Sequence, residues 1–437
     1  MFRPFFFCGF LLALGTFATR AQAPSQRVQK LQQQAHAQSA AGDWIAAIAS
    51  YDETLQISPR NVIAEIELAE AYRGVHNYDE AKRILERALA EHPQSAKPLA
   101  ALGDLEIELQ IYGAAIAHLR AALALAPSDA ESRNRLAVAY EAKGDSEKAL
   151  DQVAKILARD PKSALAYYTR AKIYSDQNQD TGALPDAMKV VELQPRNPRG
   201  RLLLGKILLR APQGEGPEQT KDRCRRAIAT LEPLLEMSAE DSETLFLLSR
   251  AYECAGASEQ AQKMLAAFEA SSKNDRETKE NQTQAKHLVQ QANELALKND
   301  FAGSLDLLQQ AIAKDATYGA AYSQLAKLYY SAGDVDKASE AISQALKRDS
   351  YQPDFLYVQG KIFEKQGKLE EALAAFERTT IVNPKESDAF FEMGVIYEQR
   401  GDREHALAAY KRAATLSPDD PDYQRALEGL SAGSARR

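Results

Sequence analysis

GDREHALAAYKRAATLSP, residues Gly401–Pro418, and GDWIAAIASYDETLQISP, residues Gly42–Pro59, are nearly one phrase written twice, more than three hundred residues apart. Each opens on Gly-Asp, places Ala sixth and Tyr tenth, and closes on Ser-Pro. Similar segments lie between them and also end on proline. Pro59, Pro93, Pro127, Pro161 and Pro195 follow one another at intervals of 34 residues, and Pro384 and Pro418 are again 34 apart. A fixed period of this size marks a stack of supersecondary units, each too small to bury its apolar face alone. With proline at repeat position 32, repeats start at Val28, Val62, Ala96, Ala130, Ala164 and Pro198. After ten inserted residues the next starts at Ser242, and after nine more the register resumes at Ala285, Gly319, Pro353 and Ser387. These starts define repeats one to eleven.

Each column of the repeat has a physical reading. Position 8 is always small (Ala35, Gly103, Gly205, Ser249 and Gly394 among others), and position 20 is Ala in every repeat except the eighth, which has Ser304. Small residues at both places let two helices approach closely, with larger groups interlocking around them. Those larger groups stand at position 11, as in Tyr72 and Tyr140, and at position 24, as in Tyr51, Leu119 and Phe376. Between them Gly42, Gly144, Gly256, Gly333, Gly367 and Gly401 suit the left-handed conformation that ends a helix. Asp43, Asp145, Asp334 and Asp402 follow where the next helix needs a cap. Each unit therefore reads as helix–turn–helix, and the fold as an all-α array with a last helix near Asp422–Leu430.

The pattern resembles the tetratricopeptide repeat over roughly Val28 to Pro418. That resemblance implies a right-handed α-solenoid acting as a protein-interaction scaffold, with first helices lining a concave groove through positions 2, 5, 9 and 12. Departures are local. Proline is absent from position 32 at Ala239, Lys273, Ala316 and Ser350, Gln38 stands where position 11 favours an aromatic, and Arg170 occupies a normally apolar position 7. The resulting organisation is repeats one to seven over residues 28–273, a polar linker or extended helix at 274–284, repeats eight to eleven over 285–420, and a capping helix with tail at 421–437. The insertion at about 211–220, APQGEGPEQT, carries two prolines and two glycines and reads as a loop within repeat six.

Residues 1–23 read separately, as a cleaved secretory signal: Arg3, an apolar run from Phe5 to about Ala18, then Ala21-Gln22-Ala23. The run is short of the roughly 20 apolar residues that span a bilayer. The expected address is exported, periplasmic or secreted, in a bacterial envelope. Cleavage would remove Arg3 and Arg20 and take the formal charge from −7 to −9. Such an acidic chain lacks the basic face that nucleic-acid binding requires. Cys224 and Cys254 would remain. Both lie at one end of neighbouring helices, so either a disulfide joins them or they are two small apolar residues in helix packing.

No G-x-x-x-x-G-K-[ST], H-E-x-x-H or G-x-S-x-G motif occurs, and the six histidines are scattered without ligand spacing. The reading is a non-enzyme without cofactor or metal. The carboxylate clamp found in some members of the resembled family is not spelled out by any three consecutive repeats. Position 9 is basic in five repeats, at Lys172, Lys206, Arg250, Lys327 and Lys361. Position 5 is apolar or aromatic in many of the same units, at Tyr168, Leu202, Phe246, Val289, Tyr357 and Phe391. A basic line beside an apolar one suits partner segments that are acidic and hydrophobic. A rival reading is a carrier in polysaccharide or cell-wall assembly, with Tyr168 and Tyr357 stacking on sugars.

Overall fold

The computed structural model describes residues 14–210, 215–238 and 241–432. Part of the predicted leader (residues 1–13) and of the predicted insertion (residues 211–214) lies outside them. Among the described residues there are twenty-two helices and no strand. Helices begin at Val62, Ala96, Ala130, Ala164, Pro198, Ser242, Gly319, Pro353 and Ser387, the repeat starts read from the period. Repeat four is typical: Ala130–Ala142, a short turn, then Ser146–Leu157. The final helix is Pro421–Ala432. Two helices are longer than the period allows. Leu14–Ala40 precedes and includes the first helix of repeat one. Ser258–Leu297 runs for 40 residues, fusing the second helix of repeat seven with the first of repeat eight. The polar stretch 271–284 lies inside it, having no proline or glycine to stop it.

The turns have one geometry. The position-15 residue takes positive φ at Gly42, Gly144, Gly256, Gly333, Gly367 and Gly401, and also at His76, Gln110, Asn178 and Asn299. In repeat four Gly144 N–H donates to Glu141 O at 2.8 Å and Asp145 N–H to Tyr140 O at 2.9 Å, the paired bonds of a Schellman motif. In repeat three Gln110 and Ile111 donate to Ile107 and Glu106 in the same way, at 3.0 and 2.7 Å. The acceptor of the longer-range bond is always the position-11 carbonyl. Asp43, Asp334 and Asp402 cap the following helices through Ala46, Lys337 and His405 N–H. Asp145 does not cap: its carboxylate turns to Lys148 Nζ at 3.1 Å.

Close helix approach is visible at position 8. A Cβ on Gly205 would stand 2.4 Å from Leu231 Cδ2, and one on Gly360 2.5 Å from Phe376 Cε1. Leu231 and Phe376 are position-24 residues and are fully buried. Both sequence departures find partners. Arg170 makes a bidentate pair with buried Asp186, at 2.6 and 2.8 Å. Gln38 accepts a hydrogen bond from Ser50 Oγ at 2.8 Å.

The chain forms two compact units, one from Leu85 to Thr278 and the other from residues up to Ile84 together with Lys279 onward. The second unit is therefore built from both ends of the sequence. Its first two repeats meet repeats nine and ten through polar contacts. Trp44 N–H donates to Tyr351 Oη at 3.0 Å, and the same hydroxyl donates to Gly42 O. Asn77 Nδ2 donates to Ile381 O at 2.8 Å, and Lys385 pairs with Asp79 at 2.9 Å.

Candidate functional site: the first-helix face

First helices of successive repeats pack side by side, so position 9 of one repeat lies next to position 2 of the following one. The charges on that face are arranged accordingly. In the Leu85–Thr278 unit Lys206 reaches Glu243 of the next repeat at 2.6 Å. In the other unit Lys327 reaches Asp354 at 2.6 Å, and Lys361 reaches Glu392 at 2.8 Å as well as Glu364. Asp104, a position-9 acid, takes Arg135 from the following repeat at 2.6 Å. Lys172 bonds instead to Asp176 on its own helix at 2.6 Å, which raises its pKa. Burial works to lower the Lys361 pKa, but its two carboxylate partners bring the net shift upward. Arg250 lies over the Phe246 ring, 5.9 Å from its centroid.

The cations of the basic line are thus mostly paired. Lys172, Lys206, Lys327 and Lys361 are each neutralised within the chain, three of them by bridging neighbouring repeats. The physical reason is spacing: a carboxylate at position 2 or 6 of the next helix lies within reach of a position-9 ammonium, and a pair costs less than two separated charges there.

The apolar line is also partly core. Val289 is buried among Ala285, Leu308 and Leu328, and Leu202 packs against Leu231 and Leu248. The Tyr357 ring stands 5.5 Å from that of Phe376, with its hydroxyl toward Glu392 at 3.4 Å, and burial, then Glu392, drives its pKa up. Phe391 stacks between Tyr410 and Tyr423, at 5.6 and 5.0 Å. Tyr168 is half-buried, and Phe246, 39% exposed, rests its ring 5.2 Å from Phe268.

The position-9 residue alone was the wrong quantity to read; the informative one is the pair formed by position 9 and position 2 of the next repeat. Between repeats four and five that pair is Val138 and Leu165, 40% and 52% exposed. Between repeats five and six it is Lys172 and Arg199, two cations, with Arg199 exposed. At these two adjacent registers no inter-repeat salt bridge can form. What remains is an apolar step followed by a positive one.

Behind this face Cys224 of Pro217–Leu235 and Cys254 of Ser242–Ala255 are joined by a disulfide, with Cα atoms 5.9 Å apart. Next to it buried Arg223 donates to Leu208 O and pairs with Glu215 at 2.8 Å, tying the far side of the insertion to the first helix of repeat six. Among the described residues no cluster of His, Cys, Asp and Glu could hold a metal ion, and no helix is long and apolar enough to cross a membrane.

Family models described as tetratricopeptide repeat match residues 39–105, 106–173, 164–197, 289–353, 323–380 and 357–421. No curated protein matches the sequence. Among solved structures, the crystal structure of MamA protein is 22% identical, with 39% of this chain and 94% of that one covered and a TM-score of 0.33. The Cut9–Hcn1 hetero-tetramer of the APC/C is 12% identical over 94% of this chain and 98% of that one, with a TM-score of 0.32.

Proposed function

The chain belongs to the tetratricopeptide repeat family, and from that premise we propose that it is a non-catalytic scaffold holding segments of partner proteins on its first-helix face. The observation that carries the reading is the interruption of the inter-repeat charge ladder at repeats four to six. Asp104, Lys206, Lys327 and Lys361 are each met by an opposite charge of the following repeat. At repeats seven and eight the same two positions hold Arg250 and Lys286, again two cations but not preceded by an apolar register. At Val138–Leu165 the chain leaves apolar surface, and beside Lys172, which Asp176 already neutralises, it leaves the Arg199 charge for something else to cover. The complementary partner presents an apolar side chain and a carboxylate one helix spacing apart, about 10 Å. That separation is about three residues of an extended segment or about seven of a helical one. The leader-like composition of Met1–Ala23 supports an envelope address, periplasmic or secreted.

Selection of displayed peptides on the folded protein tests the site. The wild type is expected to enrich peptides with an apolar residue and an acid at one of those spacings, and a Leu165→Asp, Arg199→Glu variant of unchanged circular dichroism to lose them. Enriched peptides that bind the variant equally well would place binding elsewhere. Fractionation with N-terminal sequencing tests the address: a cytosolic protein still carrying Met1–Ala23 would remove it.

A further inference from the structure

Repeat arrays are ordinarily stabilised by nearest neighbours only, each repeat touching the one before and the one after. The unit containing both chain ends departs from this. The turn of repeat one grips Tyr351 at the end of repeat nine, and the turn of repeat two grips Ile381 and Lys385 at the end of repeat ten. The second contact lies about one period on from the first on both sides: Gly42 and Trp44 meet Tyr351, and Asn77 and Asp79 meet Ile381 and Lys385. Two regular edges therefore dock in register, turn residues of the early repeats against end residues of the late ones.

We propose that these edges form a clasp that opens and closes as one element, with the first two repeats acting as a strap docked on repeats nine and ten. Its grip is specific but small. One phenol oxygen carries two of the bonds, donating to Gly42 O and accepting from Trp44 N–H, the two roles that a hydroxyl fills at once. Buried Asn77 carries a third. The Asp79–Lys385 pair is exposed on both sides, at 79% and 73%, and such pairs hold little. Against these stands Arg378, half-buried beside Tyr351 and Asp43, whose pKa is lowered because burial outweighs the attraction of its neighbours. No carboxylate among the described residues pairs with it at salt-bridge distance. A cation held this way opposes closure. The closed clasp covers the Tyr351 hydroxyl and the Ile381 carbonyl; opening frees them together with the Trp44 amide.

Amide hydrogen exchange on the full-length protein, resolved by mass spectrometry, reads the clasp from both sides. Tyr351→Phe keeps the ring and removes both hydroxyl bonds. It is expected to speed exchange about tenfold in residues 42–79 as well as in 350–385. Asn77→Ala, on the opposite edge, should do the same to both segments. Arg378→Leu should slow both. The proposal fails if each substitution changes exchange only on the edge that carries it, because the edges then do not open together. It also fails if Arg378→Leu speeds exchange on both edges.

Discussion

Replacing Gln110 with glycine should stabilise the protein, although it removes a side chain and adds no contact. Gln110 holds φ at 61° in the turn of repeat three, its side chain is exposed, and its main chain makes the same two Schellman bonds as glycine does in repeat four. An L-residue in the left-handed region costs about 1–2 kcal/mol. Glycine gives back roughly 0.5–1 kcal/mol through the larger entropy of its unfolded chain. The difference leaves a gain of about 0.5–1 kcal/mol, which slows local opening roughly two- to fivefold. Repeat arrays open in parts, so the assay is amide exchange of the repeat-three helices, supported by the urea midpoint. Gly144→Ala, at φ 88°, is the mirror experiment and should speed exchange in repeat four. Asn178→Gly should gain less than Gln110→Gly, because asparagine tolerates this conformation better than glutamine. Faster exchange in Gln110→Gly, or no change in Gly144→Ala, would refute the account of these turns.

Three further outcomes are expected. Gly360→Ala places a methyl 2.5 Å from the buried Phe376 ring and should cost about 1–3 kcal/mol by denaturant unfolding, whereas Gly113→Ala, with no neighbour within 4 Å, should be neutral or stabilising. Arg170→Met leaves the buried Asp186 carboxylate without its partner and should cost about 2–4 kcal/mol, most of it recovered in a double variant with Asp186→Leu. In the turn of repeat eleven, hydrogen bonding to Asp402 raises the His405 pKa above 6.5, and the same bond lowers that of Asp402. The pair is therefore fully formed between the two shifted values; it is lost as pH rises through the His405 value and as pH falls through that of Asp402. An NMR titration should show His405 moving back toward 6.5 in Asp402→Asn, which keeps a capping oxygen.

Much of the architecture was legible because the repeat states the same local chemistry many times. Proline at position 32 and small residues at positions 8 and 20 located the helices, and nine helix starts fell on the starts read from the period. What the period could not convey was conformation without a residue signature. His76 and Gln110 carry no mark of a left-handed turn, and only the repeat register identifies them. Nor could composition tell a polar linker from a helix at 271–284, since the stretch is polar but contains nothing that breaks a helix. The site was less legible than the fold. Position 9 looked like a basic line because it was read down one column, while electrostatics acts across columns, from one repeat to a neighbouring carboxylate.

The departures from the repeat carry the information particular to this chain. A consensus residue answers a demand that every repeat makes, so it says nothing about one repeat in particular. Gln38 replaces an aromatic and takes the Ser50 hydroxyl; Arg170 replaces an apolar residue and takes Asp186. Repeat nine ends on Ser350-Tyr351 where five earlier and two later repeat ends have proline, and that tyrosine reaches across some three hundred residues of sequence to Gly42 and Trp44. Ser350 stands in the proline column itself and donates its hydroxyl to Leu346 O at 3.0 Å, and Tyr351 follows it at position 33. A break in the pattern costs the local packing that the pattern provides, and it persists where a non-local partner offsets the cost. On this argument Val138, Leu165 and Arg199 are the positions to weigh next. They break the charge ladder, and among the described residues Arg199 makes no ion pair.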